Sequence, residues 1–99
     1  MKIRAKIKGS KVHDVGYRPF LVQAGFELGL EGLSVRNVVE EGKQVVLVLV
    51  EGGKEEINEF TEFIKNNYPE NTEVKEIKFE EYSNHVPPIE GTTSSYWNR

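Results

Sequence analysis

Polar and apolar residues alternate along the start of the chain. Ile3, Ala5 and Ile7 point one way and Lys2, Arg4, Lys6 and Lys8 the other, which predicts a half-buried strand ending at Gly9. A loop from Ser10 to Arg18 follows, and then the period changes. Phe20, Leu21, Ala24 and Leu28 recur at helical spacing from Pro19 to Leu28, and Gly29 supplies a stop. Leu33, Val35 and Asn37 share one side of a second strand, with Arg36 on the other. Glu40-Glu41-Gly42-Lys43 reads as a hairpin turn into the run Val45-Val46-Leu47-Val48-Leu49-Val50. That run is apolar on both faces, which predicts a central strand. Gly52-Gly53 breaks the chain before a helix from about Lys54 to Asn67, whose buried stripe is Ile57, Phe60, Phe63 and Ile64 and which Tyr68-Pro69 ends. Val74 to Tyr82 is the last strand. Val74 is out of step with Ile77 and Phe79, which predicts a bulge or an irregular start.

The order β-α-β-β-α-β predicts an α+β fold of the ferredoxin-like type, an antiparallel sheet with two helices on one face. The 99 residues suffice for one domain and one core. The patterned part is expected over residues 1–82. Residues 83–99 are expected to form an irregular tail of the same domain, because Pro87-Pro88, Gly91 and Thr92-Thr93-Ser94-Ser95 break any period. The aromatic pair Tyr96-Trp97 near its end either docks on the core or pairs with a neighbouring molecule. A monomer is expected, with tail-mediated pairing as the alternative.

Charge refines the picture. Formal net charge is −3 and cysteine is absent, so no disulfide framework or thiolate metal site is available. The acidic balance argues against a nucleic-acid partner. Lys2, Arg4, Lys6, Lys8, Lys11 and Arg18 concentrate positive charge near the amino end, while acid dominates from Glu51 onward. That asymmetry suits a small anion, although the lysines of the first strand read more simply as solvated outward residues. No apolar run reaches membrane-spanning length and no signal-peptide pattern precedes the first strand, so a cytoplasmic protein without a membrane partner is expected.

The candidate chemistry lies in Val15-Gly16-Tyr17-Arg18-Pro19-Phe20. An arginine stands where a glycine-bearing loop becomes a helix, and main-chain N–H groups there have no partner inside the helix. A guanidinium beside such groups makes a compact receptor for a phosphate-sized dianion. Pro19 fits the first helical turn because its missing N–H costs nothing there. Asn37 stands at the end of Val35-Arg36-Asn37 on the second strand, where it reads as a turn former or as a polar site residue. Tyr17 reads as core packing with a hydroxyl able to reach the rim of the site. His13, Asp14 and His85 do not form a metal-ligand spacing, so no metal is expected.

Val12-x-x-Val15-Gly16-Tyr17-Arg18 after the first strand, with Gly32-x-x-Val35-Arg36-Asn37 on the second, resembles the acylphosphatase family over roughly residues 2–82. The extension Arg18-Pro19-Phe20 looks more like the acylphosphatase-like domain that opens hydrogenase maturation proteins handling carbamoyl phosphate, and the expectation is a chain without their further domains. The resemblance implies metal-independent hydrolysis of the carboxyl-phosphate bond of small acyl phosphates, with no cofactor. It implies that Arg18 and the amides of Asp14, Val15, Gly16, Tyr17 and Arg18 hold the phosphoryl group, so that phosphate or sulfate would sit in this loop, and that the Asn37 amide holds the attacking water. The chain departs from the family pattern in having His13-Asp14 where Gln-Gly is usual, and Ser10 at the first motif glycine. It also lacks a visible final strand of the Phe-x-Ile type. If the loop needs positive φ at position 14, aspartate tolerates it less well than glycine, and its carboxylate opposes a bound dianion. Two alternatives follow: a non-catalytic anion-binding or interaction module on the same fold, and a carbamoyl-phosphate-directed variant.

Overall fold

The computed structural model describes residues 1–89. The Tyr96-Trp97 pair and the Gly91 to Ser95 stretch of the expected tail lie outside the described residues. The elements are β1 (Lys2–Lys11), α1 (Tyr17–Leu28), β2 (Gly32–Glu40), β3 (Lys43–Glu51), α2 (Lys54–Asn66) and β4 (Glu73–Glu81). They form one antiparallel sheet in the order β2-β3-β1-β4. This is the ferredoxin-like α+β arrangement, with the doubly apolar β3 inside the sheet as its sequence requires.

One face of the sheet makes the core. Ile3, Ala5 and Ile7 of β1, Leu33 and Val35 of β2, and Val46, Val48 and Val50 of β3 pack with Leu21 and Val22 of α1 and Ile57, Phe60 and Ile64 of α2. Both helices therefore cover the same face. Phe60 is wholly buried, so Phe60→Ala should cost about 3–5 kcal/mol. α1 ends as its sequence suggests: Gly29 is left-handed, and the Leu30 and Gly29 N–H groups donate to the Gly25 and Phe26 carbonyls. In α2, Glu55 and Glu56 occupy the first turn and Lys65 the last, in keeping with the helix dipole.

The opposite face carries no helix, yet Val45 and Leu49 are buried there. Cross-strand register sets Lys8 beside Val45, Lys6 beside Leu47 and Arg4 beside Leu49. The basic side chains are thus more than solvated outward residues. Their stems lie over the apolar positions of β3, and their heads pair with acids. Arg4 meets Glu80 at 2.9 Å, and Glu40 takes Lys6 at 2.9 Å and Lys8 at 3.4 Å. The hydrogen bond from Lys6 holds the Glu40 carboxyl below the usual carboxylate range.

Several boundaries differ from the sequence reading. β1 runs two residues past Gly9, because Ser10 and Lys11 still lie along β4. α1 begins at Tyr17, which places Arg18 inside the first turn rather than ahead of it. α2 stops at Asn66, and β4 covers Glu73–Glu81. The misfit of Val74 is a real irregularity, with register shifts on both sides of Gly9. The missing final strand is the larger correction. Gly32 and Pro88 form a bridge, Leu33 N–H donates to the Pro87 carbonyl at 3.0 Å, and Ile89 N–H donates to the Glu31 carbonyl at 3.1 Å. Val86 and Ile89 are buried, so the start of the tail docks on the free edge of β2. Two prolines hid this segment from any periodic reading. An edge position tolerates them, because a proline lacks only the N–H that would face away.

Candidate functional site

The loop between β1 and α1 is held from beneath and open above. Val12 is wholly buried, Tyr17 is 2% exposed, and Val15 packs against the core. Asp14 and Gly16, the positions between these anchors, are exposed. Both take the left-handed conformation, with φ of 58° at Asp14 and 77° at Gly16. The positive φ that Asp14 was expected to need is therefore what it adopts. Aspartate accepts this region more readily than most residues, which accounts for its standing in a place suited to glycine.

Left-handed residues within such a curl turn successive N–H groups toward one side, the geometry of an anion-binding concavity. The N–H groups from Asp14 to Tyr17 make no hydrogen bond to any described residue. Gly16 caps α1 with its carbonyl, which accepts from Phe20 N–H at 3.2 Å, and no side chain caps the helix. Unspent donors and the positive end of the helix dipole thus coincide. Arg18 is half-buried in the first helical turn beside them. Asp14 makes no ion pair with a described residue, including the neighbouring Lys11 and His13.

The loop owes its shape to Gln44, which the sequence reading passed over. The Gln44 Oε1 accepts from Val12 N–H and His13 N–H, each at 2.9 Å. His13 is pinned as well, its Nε2 lying 2.9 Å from the Val45 carbonyl. A carbonyl only accepts, so Nε2 carries the proton. The partly exposed loop histidine is therefore an anchor. A signal for Gln44 was present in the sequence, since it shares the parity of Val46, Val48 and Val50, and a polar residue in a core-facing series asks for a partner.

Asn37 lies on the face of β2 that also carries Leu33 and Val35, and it pairs with Val46 of β3. Exposure rises along this face from the buried Leu33 and Val35 to Asn37 and to Val39, which is 67% exposed. The sheet here passes out from under the helices. Gln44 lies in the next row on that face, between Val39 of β2 and Gly9 of β1. The β1–α1 loop and Asn37 thus occupy the same end of the same face. They are separated by two strand spacings, about 10 Å, with Gln44 between them. Tyr17 departs from its expected second role. Its hydroxyl is buried with no hydrogen-bond partner, away from any rim, and burial together with the nearby Tyr68 pushes its phenol well above the usual range.

These features define a ferredoxin-like α+β domain with a curl of unspent main-chain donors at one end of its sheet. The chain belongs to the acylphosphatase family, whose family model matches residues 3–88. It superposes on the crystal structure of acylphosphatase from Bacillus subtilis with a TM-score of 0.68 and 26% identity, covering 89% of this chain and 94% of that one. An acylphosphatase from Coxiella burnetii gives a TM-score of 0.66 at 27% identity, covering 85% of this chain and 82% of that one. Over 81 residues the chain is 36% identical to a probable carbamoyltransferase, HypF, of Methanocaldococcus jannaschii, which covers 82% of this chain and only 10% of that protein. Full-length HypF, solved with phosphate and nucleotide bound, gives a TM-score of 0.69 at 28% identity and likewise matches over 10% of its length. No helix among the described residues is long and apolar enough to cross a membrane.

Proposed function

We propose that this chain hydrolyses small acyl phosphates to a carboxylate and phosphate, without a metal. The observation that carries the reading is the curl of residues 14–17, whose N–H groups are unspent beside Arg18 at the end of the sheet that also presents Asn37. The guanidinium and the main-chain donors receive the phosphoryl oxygens. The Asn37 carboxamide holds a water for in-line attack at phosphorus, and the bond from phosphorus to the carboxyl oxygen breaks. A carboxylate is a good leaving group, so positioning and charge stabilisation suffice. The neutral amide orients the water, and an oxygen of the substrate's own phosphoryl group takes the proton.

The test is release of phosphate from benzoyl phosphate in the presence of a chelator. The purified chain should turn over, and Arg18→Ala should lose at least about a thousandfold in kcat/KM, about 4 kcal/mol of transition-state stabilisation. Undiminished turnover in that variant would refute the assignment of the site.

The 36% identity to the HypF relative, together with Arg18-Pro19-Phe20, favours a second reading in which carbamoyl phosphate is the preferred substrate. Comparison of kcat/KM for acetyl, carbamoyl and benzoyl phosphate separates the two. A preference for carbamoyl phosphate of tenfold or more supports the second.

A further inference from the structure

A second anion-binding place is built next to the loop. β1 and β4 lose register twice where they meet near Gly9. Lys8 pairs with Glu76, Gly9 with Val74 and Lys11 with Glu73, which leaves Lys75 and Ser10 as the extra residues of two adjacent bulges. Bulges re-aim side chains at the ends of sheets. Here they border a groove of about 370 Å³ whose lining includes Lys8, Ser10, Lys43, Gln44, Lys75 and Glu76. The corner depends on Gly9, since a Cβ there would stand 1.9 Å from the Glu73 carbonyl oxygen. Ser10 clamps it by donating to the Glu73 carboxylate.

The charge in this groove is unbalanced. Each acid nearby is already engaged: Glu40 with Lys6 and Lys8, Glu73 with Ser10, and Glu76 with Lys78 at 3.9 Å. Lys43 and Lys75 make no ion pair with any described residue. Gln44 contributes a third feature. Its Oε1 is committed to the Val12 and His13 amides, while its Nε2 donates to no described residue. In a chain of net charge −3, two uncompensated ammonium groups and a spare amide donor around one concavity are a local exception.

We infer that this groove binds a small oxyanion carrying two or more negative charges, held by Lys43 and Lys75 with the Gln44 carboxamide, as a site separate from the 14–18 loop. Because Gln44 grips both the groove and the loop, occupancy of the groove is sensed where the loop leaves β1. The inference stands whether or not the chain hydrolyses acyl phosphates.

The experiment titrates inorganic pyrophosphate into the isotope-labelled full chain carrying Arg18→Ala, which weakens the loop, and follows amide chemical shifts by NMR. Saturable shifts are expected at Gly9, Ser10, Gly42, Lys43 and Lys75. In the triple variant Arg18→Ala/Lys43→Ala/Lys75→Ala the apparent Kd should rise at least tenfold, with unmoved resonances elsewhere showing an intact fold. Shifts that do not saturate, that are confined to residues 14–18, or that persist unchanged in the triple variant would each overturn the proposal. Loss or retention of acyl phosphate turnover in the wild-type chain reports on the loop alone, so the two readings fail separately.

Discussion

The β1–α1 loop and the β2–β3 hairpin use the same backbone device for opposite ends. Each sets an acidic residue in the left-handed region close to a left-handed glycine: Asp14 at φ 58° with Gly16 at 77°, and Glu41 at φ 53° with Gly42 at 77°. In the hairpin both left-handed residues are the central pair of a two-residue turn between Glu40 and Lys43. That turn matches the right-handed twist of its strands, so the conformation serves pairing and is consumed inside the fold. In the loop the left-handed residues alternate with anchors, and the N–H groups they turn outward meet no described residue. The first arrangement should be legible in stability and the second in activity.

The sharpest way to separate the two regions is to remove a site group that bears no structural load. Asn37 is exposed and its side chain makes no hydrogen bond to a described residue, so Asn37→Ala should leave thermal unfolding within a degree or two. On the proposed reading it should lower kcat for benzoyl phosphate about a hundredfold, the usual loss for one positioned polar group. A fall in Tm with kcat unaffected would make Asn37 a turn former, the plain reading of asparagine at a strand end.

The hairpin should answer in reverse. A side chain on Gly42 meets nothing within 4 Å, so the cost of Gly42→Ala is backbone strain alone. It should destabilise by about 1–2 kcal/mol, measured by urea unfolding, with kcat/KM unchanged within twofold. Impaired catalysis in this variant would show that the hairpin transmits to the loop, for which Lys43-Gln44 is the only route along β3.

How far sequence carried the fold and the site follows from the same contrast. Alternation in β1, the doubly apolar run of β3 and the 3.6-residue stripe of α2 are consequences of which faces are buried, and burial leaves a period in the chain. The hairpin turn was visible because Gly42 marks a two-residue connection. Arg18, Asn37 and the Asp14 conformation were reached through local motifs. Gln44 was missed because its role is a contact with residues more than thirty positions away, and only its wrong polarity on a core-facing parity hinted at it. Pairing of residues 86–89 with β2 was hidden for a related reason. Edge pairing through main-chain groups needs no side-chain period, and two prolines erased what trace there was. The orphaned Tyr17 hydroxyl likewise has no sequence signature, since it depends on what packs around it.

The finest comparison changes the same residue type in the same way in both places. Asparagine favours the left-handed region at least as well as aspartate and better than glutamate. Glu41→Asn should therefore stabilise the hairpin by a few tenths of a kcal/mol and leave catalysis alone, with urea unfolding as the measurement. Asp14→Asn keeps the backbone preference and deletes a charge, so stability should barely move there. What changes is the repulsion between an exposed carboxylate and an incoming dianion, ~1 kcal/mol for a solvated pair of unit charges at contact distance. On the proposed reading kcat/KM should rise about fivefold in dilute buffer, and the gain should shrink as salt is raised toward 1 M, where the screening length falls to about 3 Å. If the gain survived high salt, the effect would be conformational rather than electrostatic. If there were no gain at any salt concentration, the Asp14 carboxylate must point away from the bound phosphoryl group, and the departure at this position would carry no cost in turnover.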